Sequence, residues 1–284
     1  MSTKFDPNFY KSNIELRVKL VQRCLNKVSH LLQWQPKGGD SVLDIGCGVG
    51  DITRECFYPL LPANYSRLVC SDISESMLHG ARKTFHGIDR VNFTQININE
   101  PLSDAKKVEL KTFNHIFSSF CLTYVKNQKQ AFQNVFDLLE MGGDIMITIQ
   151  AITPSIECLF RMAEQKKWKN KLSNIRETFV YSYREDSNPK ETIESLLRCL
   201  GFTQVVVELE ESFETYKTEE YLKDFMKGLP FGSEVSEMES EEFFRDLVNI
   251  AISMNLIEEH LKGSPPLEGN VRKLIHIYAM KPNK

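Results

Sequence analysis

Residues 41–50 read SVLDIGCGVG, a strand-like run that passes without a break into glycines at 46, 48 and 50. No other stretch constrains the fold as much. An α/β protein uses such a run to end a buried strand, turn where no Cβ obstructs the backbone, and aim main-chain N–H groups at a ligand. The chain that follows keeps the alternation this fold requires. DITRECFYPLL reads as a helix ending at Pro59 and Pro62, and RLVCSDI as a second strand. SESMLHGARKTF reads as a helix capped by Ser74, with Met77, Leu78 and Ala81 on one face. VNFTQINI alternates as a third strand ending at Asn97, and FNHIFSSFCL reads as a fourth. NQKQAFQNVFDLLEMGG is an amphipathic helix closed by Gly142 and Gly143, and DIMITIQAI is a fifth strand. Strands separated by helices predict a doubly wound α/β fold, its mostly parallel sheet covered on both faces.

Two more strands, FTQVVVELEESF (202–213) and VRKLIHIYAM (271–280), raise the expected sheet to seven. A hairpin needs only a few linking residues, yet residues 214–270 intervene, so that connection carries structure of its own. TEEYLKDFMKGL and SEEFFRDLVNIAISMNLIEEHL supply two helices there, and SIECLFRMAEQKKWKNKL another after the fifth strand. The expected organisation is a helical lid over 1–35, an α/β core over 36–152, a helical insert over 153–200, and closing strands over 201–284 with a cap insert at 214–270. A cap rich in Phe, Met, Leu and Tyr over the strand C-termini favours an apolar ligand.

Composition excludes other classes. The net charge of −3 and the absence of a Lys/Arg stripe argue against nucleic acid; KVELK and EQKKWKNK read as solvated helix faces. No run approaches the ~18 apolar residues of a membrane span. MSTKFDPNFYKSN lacks the apolar core of a signal peptide. The seven cysteines are scattered, without CxxC, and the six histidines form no HxxH or HExxH pair, so neither a disulfide framework nor a metal site is expected. A cytoplasmic protein follows, and a homodimer is compatible with this reading.

The glycine spacing separates two nucleotide types. A dinucleotide turn, G-x-G-x-x-G, needs a glycine where this chain has Asp51, an anionic neighbour for a diphosphate. G-x-G-x-G behind Asp44 instead resembles the first motif of S-adenosylmethionine-dependent methyltransferases. On that reading Gly46, Cys47 and Gly48 pass close to the methionine part of the cofactor, and Asp44 accepts from its ammonium. Asp72, ending the second strand, takes the ribose hydroxyls, and Ile73 and Met77 flank the adenine. Asn97 accepts from the adenine amino group, and Ile98 and Ser118 complete the set. The implied cofactor is S-adenosyl-L-methionine and the implied fold Rossmann-like, class I.

Five stretches carry a narrower likeness: FYKSN, PANYSRLVCSDISESM, FSSFCLTYVKNQKQAFQNVFDLL, NIAISMNL and LIHIYAMK. In these the chain resembles the insect juvenile hormone acid O-methyltransferases, as a diverged paralogue. The resemblance implies methyl transfer to the carboxylate of a long apolar acid of the farnesoic or juvenile hormone acid type. It also marks the departures. The family has a histidine–tryptophan pair after the fourth strand, where this chain has Thr123 and Tyr124. Three residues after Asn13 the family has glutamine, and this chain has Leu16, with Glu15 and Arg17 beside it. The family's glutamine and tryptophan are its expected carboxylate donors. Tyr124 keeps an aromatic body and a donor hydroxyl; Leu16 donates nothing. Weak activity on farnesoic-type acids, or a shifted substrate, is the expectation. A methyltransferase of another small molecule and a low-activity, ligand-binding paralogue are the alternatives.

Overall fold

The computed structural model describes residues 14–227, 229, 237–261 and 270–283. Seven strands form one sheet: β1 Ser41–Ile45, β2 Arg67–Asp72, β3 Val91–Gln95, β4 Phe113–Ser119, β5 Leu139–Ile152, β6 Thr203–Phe213 and β7 Val271–Met280. Their order is β3-β2-β1-β4-β5-β7-β6. The first five run parallel, and β7 lies antiparallel between β5 and β6, as the long-connected hairpin requires. The order reverses between β1 and β4, so a crevice opens where their C-terminal loops diverge. Open α/β sheets bind ligands at that place.

Ten helices punctuate the described residues: α1 Ile14–Val28, α2 Glu75–Thr84, α3 Asp104–Leu110, α4 Gln128–Leu138, α5 Pro154–Glu164, α6 Ile175–Thr178, α7 Pro189–Cys199, α8 Glu219–Lys227, α9 Glu237–Ser253 and α10 Glu258–Leu261. The segment after the glycine turn is helical but irregular, a π-helical turn at Thr53–Phe57 running into a 3₁₀ turn at Tyr58–Leu60, where Pro59 stands. No helix among the described residues is long and apolar enough to cross a membrane.

Alternation along β1 distributes the core. Leu43 and Ile45 join Ile116, Ile145 and Ile147 under α4 and α7, whose Phe132, Val135, Ile193 and Leu197 are buried. Val42, with Leu68, Phe117 and Met146, packs on the other face under α2 and α1. The described part of the 1–35 segment is therefore a layer of that face, seated through Leu20, Val21, Cys24 and Val28. The link behind α1 is fastened at the N-terminal end of the strands, away from the crevice. Buried His115 bonds Asp144 at 2.6 Å and Asp40 at 3.1 Å, while the N–H groups of Gln33 and Gln35 donate to the same two carboxylates.

The cap has an apolar core of its own. Phe160, Trp168, Phe179, Phe243, Leu247 and Met254 are among the side chains it buries, contributed by α5, α9 and the turns after α5. The Trp168 ring N–H donates to Asp246 at 2.9 Å, joining those turns to α9.

Three expected boundaries move. β3 stops at Gln95, because its register with β2 ends at Asp72↔Gln95, so Asn97 lies in the turn beyond it. β4 stops at Ser119 and the chain turns before Phe120-Cys121-Leu122. Helix α4 ends at Leu138 and passes directly into β5 at Leu139, which leaves Gly142 and Gly143 inside the strand rather than at a helix cap.

Candidate active site

The loop after β1 is pinned before any ligand arrives. The N–H groups of Gly46 and Cys47 both donate to the Ser71 carbonyl, at 2.7 and 2.9 Å. Gly46, Gly48 and Gly50 have φ of 75°, 58° and 83°, a region costly to residues with a Cβ. Gly46 has a second reason to be glycine: a Cβ there would stand 2.2 Å from that of Cys121. The loop after β4 thus rests directly on the loop after β1.

Asp72 closes β2 as expected, and its carboxylate organises the crevice. One oxygen accepts from the Gly48 N–H at 3.0 Å, the other from the Ser74 N–H at 2.9 Å. Each oxygen keeps a lone pair for a ligand hydroxyl. Burial raises the Asp72 pKa against these bonds. Ser74 in turn caps α2 by accepting from the Met77 N–H. Beside them Ile73 is 41% exposed, whereas Met77 is buried.

Asp44 is held differently. Its side chain is 2% exposed and accepts from the Thr53 hydroxyl, a partner that the sequence reading missed although it stands only nine residues on. Burial, with the like charge of Asp72 behind it, lifts the Asp44 carboxyl from 3.8 to about 7. The neighbouring thiols stay protonated: Cys47 is pushed up by its hydrogen bond with Cys70 and by burial, Cys121 by burial, and Cys56 by burial to about 11. None of the three is poised as a nucleophile.

The remaining cofactor candidates divide. Asn97 is exposed, but in the turn its side-chain oxygen accepts from the Asn99 N–H at 3.1 Å, a correction to its expected place at a strand end. Ile98 is buried in the core, and Asn134 holds its carbonyl at 3.0 Å. The Ser118 hydroxyl donates to the Ile45 carbonyl at 2.8 Å, tying β4 to β1. Ile98 and Ser118 support the crevice wall from behind.

On the acceptor side, a short turn, Leu122–Tyr124, begins beside Cys121, and the Tyr124 N–H donates to the Cys121 carbonyl at 3.1 Å. This places Tyr124 one turn from the Gly46 contact. Its half-buried ring enters the edge of the cap core, 5.9 Å from Tyr181 and 6.4 Å from Phe179. Thr123 is fully buried, and its hydroxyl accepts from the Gln150 N–H at 2.9 Å, fixing the turn to β5. Leu16 packs half-buried against the α1 face of the core. Asn13 lies outside the described residues.

Two residues near Tyr124 gave no signal in the sequence. Phe120 (φ 64°) and Tyr181 (φ 42°) are aromatic side chains on left-handed backbone, a conformation worth about 1–3 kcal/mol of strain each and found where surrounding structure enforces it. Below the cap, buried Arg272 pairs with Glu214 at 2.7 Å, and Tyr216 donates to the same carboxylate at 2.6 Å.

The geometry agrees with what the chain resembles. Residues 43–145 match the family model described as a methyltransferase domain. Juvenile hormone acid O-methyltransferase of Bombyx mori is 28% identical over 278 residues, covering 96% of this chain and 96% of that protein. Juvenile hormone acid O-methyltransferase of Drosophila melanogaster is 33% identical over 236 residues, covering 82% of this chain and 77% of that protein. Among solved structures, the YcgJ protein of Bacillus subtilis superposes with a TM-score of 0.55 at 15% identity, over 93% of this chain and 100% of that one, a likeness of fold. With a Rossmann-like sheet, a glycine turn at its switch point and an acid closing β2, the chain belongs to the juvenile hormone acid O-methyltransferase family, and its cofactor is S-adenosyl-L-methionine.

Proposed function

We propose that this protein is a carboxyl O-methyltransferase of the cytosol that esterifies a long apolar acid of the farnesoic or juvenile hormone acid type. One observation carries the reading. The Tyr124 hydroxyl belongs to a ring that lies between the glycine-turn contact at Cys121 and a cap core made almost wholly of apolar side chains. A site with one polar end and a greasy body matches an amphiphilic acid.

The residues fit the cofactor. The turn at Gly46, Gly48 and Gly50 runs at positive φ with no side chains of its own on those three residues, and Asp72 keeps acceptor capacity for ribose hydroxyls. Exposed Ile73 offers an apolar wall for adenine, with Met77 packed behind it. Asp44 answers the ammonium of the methionine end; a cation beside it favours its ionised form. When bound, the cofactor supplies a methyl group already activated as a sulfonium.

The protein's own tasks are then few. A carboxylic acid with a pKa near 4–5 is ionised at neutral pH, so no side chain has to remove a proton. Tyr124 donates to one carboxylate oxygen and orients the other. The cap excludes water and binds the hydrocarbon, at about 0.8 kcal/mol per buried CH₂. Leu16 donates nothing, so the family's second donor is missing. Losing one donor to a charged group costs about 1.5–3 kcal/mol, roughly ten- to a hundredfold in rate or affinity.

The test is incubation with labelled cofactor and a panel of terpenoid and fatty acids. Methyl esters of long apolar acids are expected, with Tyr124→Phe forming roughly ten- to a hundredfold less at unchanged cofactor affinity. S-adenosylhomocysteine binding without any ester would defeat the carboxyl-ester reading and leave a methyltransferase of another small molecule or a ligand-binding paralogue.

A further inference from the structure

We infer that Gln128 is a positioning residue for the acceptor: its side-chain amide braces the Leu122–Tyr124 turn against the segment 179–184 and so sets where the Tyr124 hydroxyl stands. The inference rests on the carboxylate reading above and adds to it the group that holds the remaining donor in place.

The turn that carries Tyr124 is not self-supporting. It is a single 3₁₀ turn, closed by the Tyr124 N–H on the Cys121 carbonyl at 3.1 Å and the Val125 N–H on the Leu122 carbonyl at 3.3 Å. Bonds of this kind are poorly aligned and hold short pieces only weakly. Thr123 fastens one side of the turn to β5. Gln128 fastens the other. It is the first residue of α4, directly after the N-cap Asn127, and its side chain folds back over the turn. Its Nε2 donates to the Leu122 carbonyl at 2.7 Å and to the Val125 carbonyl at 2.8 Å. Those two residues bracket Thr123 and Tyr124, so one amide clamps the turn at both ends.

The partners fix which way the amide faces. Carbonyl oxygens only accept, so the nitrogen must point at them, and Oε1 is left to accept from the Tyr183 hydroxyl at 3.3 Å. Ser182 donates to the same Val125 carbonyl at 2.8 Å. The segment that supplies Ser182 and Tyr183 also supplies Phe179 and Tyr181, the rings against which Tyr124 packs at 6.4 and 5.9 Å. Arg184, next in line, is held to α5 by both oxygens of Glu157, at 2.5 and 2.7 Å. The backbone under the phenol and the aromatic wall beside it are therefore both located from Gln128. Removing the amide orphans neither carbonyl, because Leu122 still accepts from the Val125 N–H and Val125 from Ser182. What is lost is placement, and a misplacement of about 1 Å at a reacting group can cost about a hundredfold in rate.

The experiment measures ester formation from farnesoic acid and labelled cofactor by the full chain, with calorimetry of S-adenosylhomocysteine alongside. The proteins are wild type, Gln128→Met, Tyr183→Phe and Gln128→Glu, the first three also in a Tyr124→Phe background. Gln128→Met fills a similar volume without the amide and should lower kcat/KM about tenfold in the wild-type background. In Tyr124→Phe it should cost less than about twofold, because it acts through that hydroxyl. Tyr183→Phe removes only the bond from the segment 179–184 and should cost about threefold, again only where Tyr124 is present. Gln128→Glu, which turns a charged oxygen on two carbonyls, should lose more than Gln128→Met. S-adenosylhomocysteine affinity should not move in any of them, which separates positioning from misfolding; if the Gln128 variants fail to fold, Tyr183→Phe in the two backgrounds decides. Undiminished kcat/KM, equal losses in both backgrounds, or a matching loss of S-adenosylhomocysteine affinity would overturn the inference. Full activity of Tyr124→Phe would overturn it too, while leaving intact the reading of a wild type that forms esters. A wild type that forms no ester would remove the carboxylate reading and this inference together.

Discussion

Replacing Asp44 with Asn separates what the crevice needs from what the fold tolerates. The exchange is nearly isosteric and keeps an oxygen to accept from Thr53. Burial lifts the Asp44 carboxyl from 3.8 to about 7, with Asp72 adding to the shift and Thr53 opposing it. A folded-state pKa above the unfolded one means that the folded protein holds the proton more tightly. The associated stability is complete below about pH 4 and is lost as the pH rises through about 7. Three units correspond to about 4 kcal/mol of destabilisation by pH 8, where the carboxylate is charged and desolvated. The new amide brings an N–H₂ group with no acceptor among the partners Asp44 has, at a cost of about 1–3 kcal/mol. The variant should therefore be more stable than wild type by about 1–3 kcal/mol at pH 8 and near parity at pH 5, where wild-type Asp44 is already neutral. Urea unfolding without cofactor, at both pH values, measures this directly. Calorimetry at pH 8 should show weaker S-adenosylhomocysteine binding in the same variant, since on the proposed reading the ligand's ammonium meets the charge that has been removed. A variant less stable than wild type by the same amount at both pH values would refute the reasoning, because its loss would then owe nothing to ionisation.

Gly46→Ala should destabilise the fold by about 2–4 kcal/mol and abolish S-adenosylhomocysteine binding in a thermal-shift titration, since its Cβ meets Cys121 on backbone at φ 75°; adding Cys121→Gly should recover part of the stability. Arg272→Met leaves Glu214 buried without its partner and should cost about 3–5 kcal/mol in urea unfolding, whereas the double variant Arg272→Met with Glu214→Leu should regain most of it. Leu16→Gln should raise ester formation from farnesoic acid by roughly tenfold in the labelled-cofactor assay, and no change would mean that the acceptor end has been rebuilt on other groups.

What could be read in advance divides along a physical line. β1 and β7 fell where period and composition placed them, at Ser41–Ile45 and Val271–Met280, because a buried strand records both its faces in its own residues. The end of β3 did not, because VNFTQINI alternates on past the point where β2 has run out of partners at Asp72. Gly142 and Gly143 looked like a helix stop. A Cβ on Gly143 would lie 2.8 Å from the Asn114 carbonyl and 3.0 Å from that of Glu140, so this glycine answers crowding between strands rather than a cap. The site divides in the same way. Asp72 and the glycine turn were legible because each is defined by its distance from a strand end. The Thr53 bond and the Tyr181 phenol were not, because each is defined by a neighbour: Thr53 by a π-helical turn that shifts the register of its helix, Tyr181 by a ring that lies 57 positions earlier in the chain. The departures at Leu16, Thr123 and Tyr124 therefore mean less when taken one by one than they do together. Thr123 secures the turn to β5 and Leu16 fills the α1 face, which on the proposed reading leaves the acceptor's anion to Tyr124. A substrate preference that rests on one hydroxyl beside an apolar core is set by how the turn at Leu122–Tyr124 holds that ring, and it will not be found by comparing the motif positions alone.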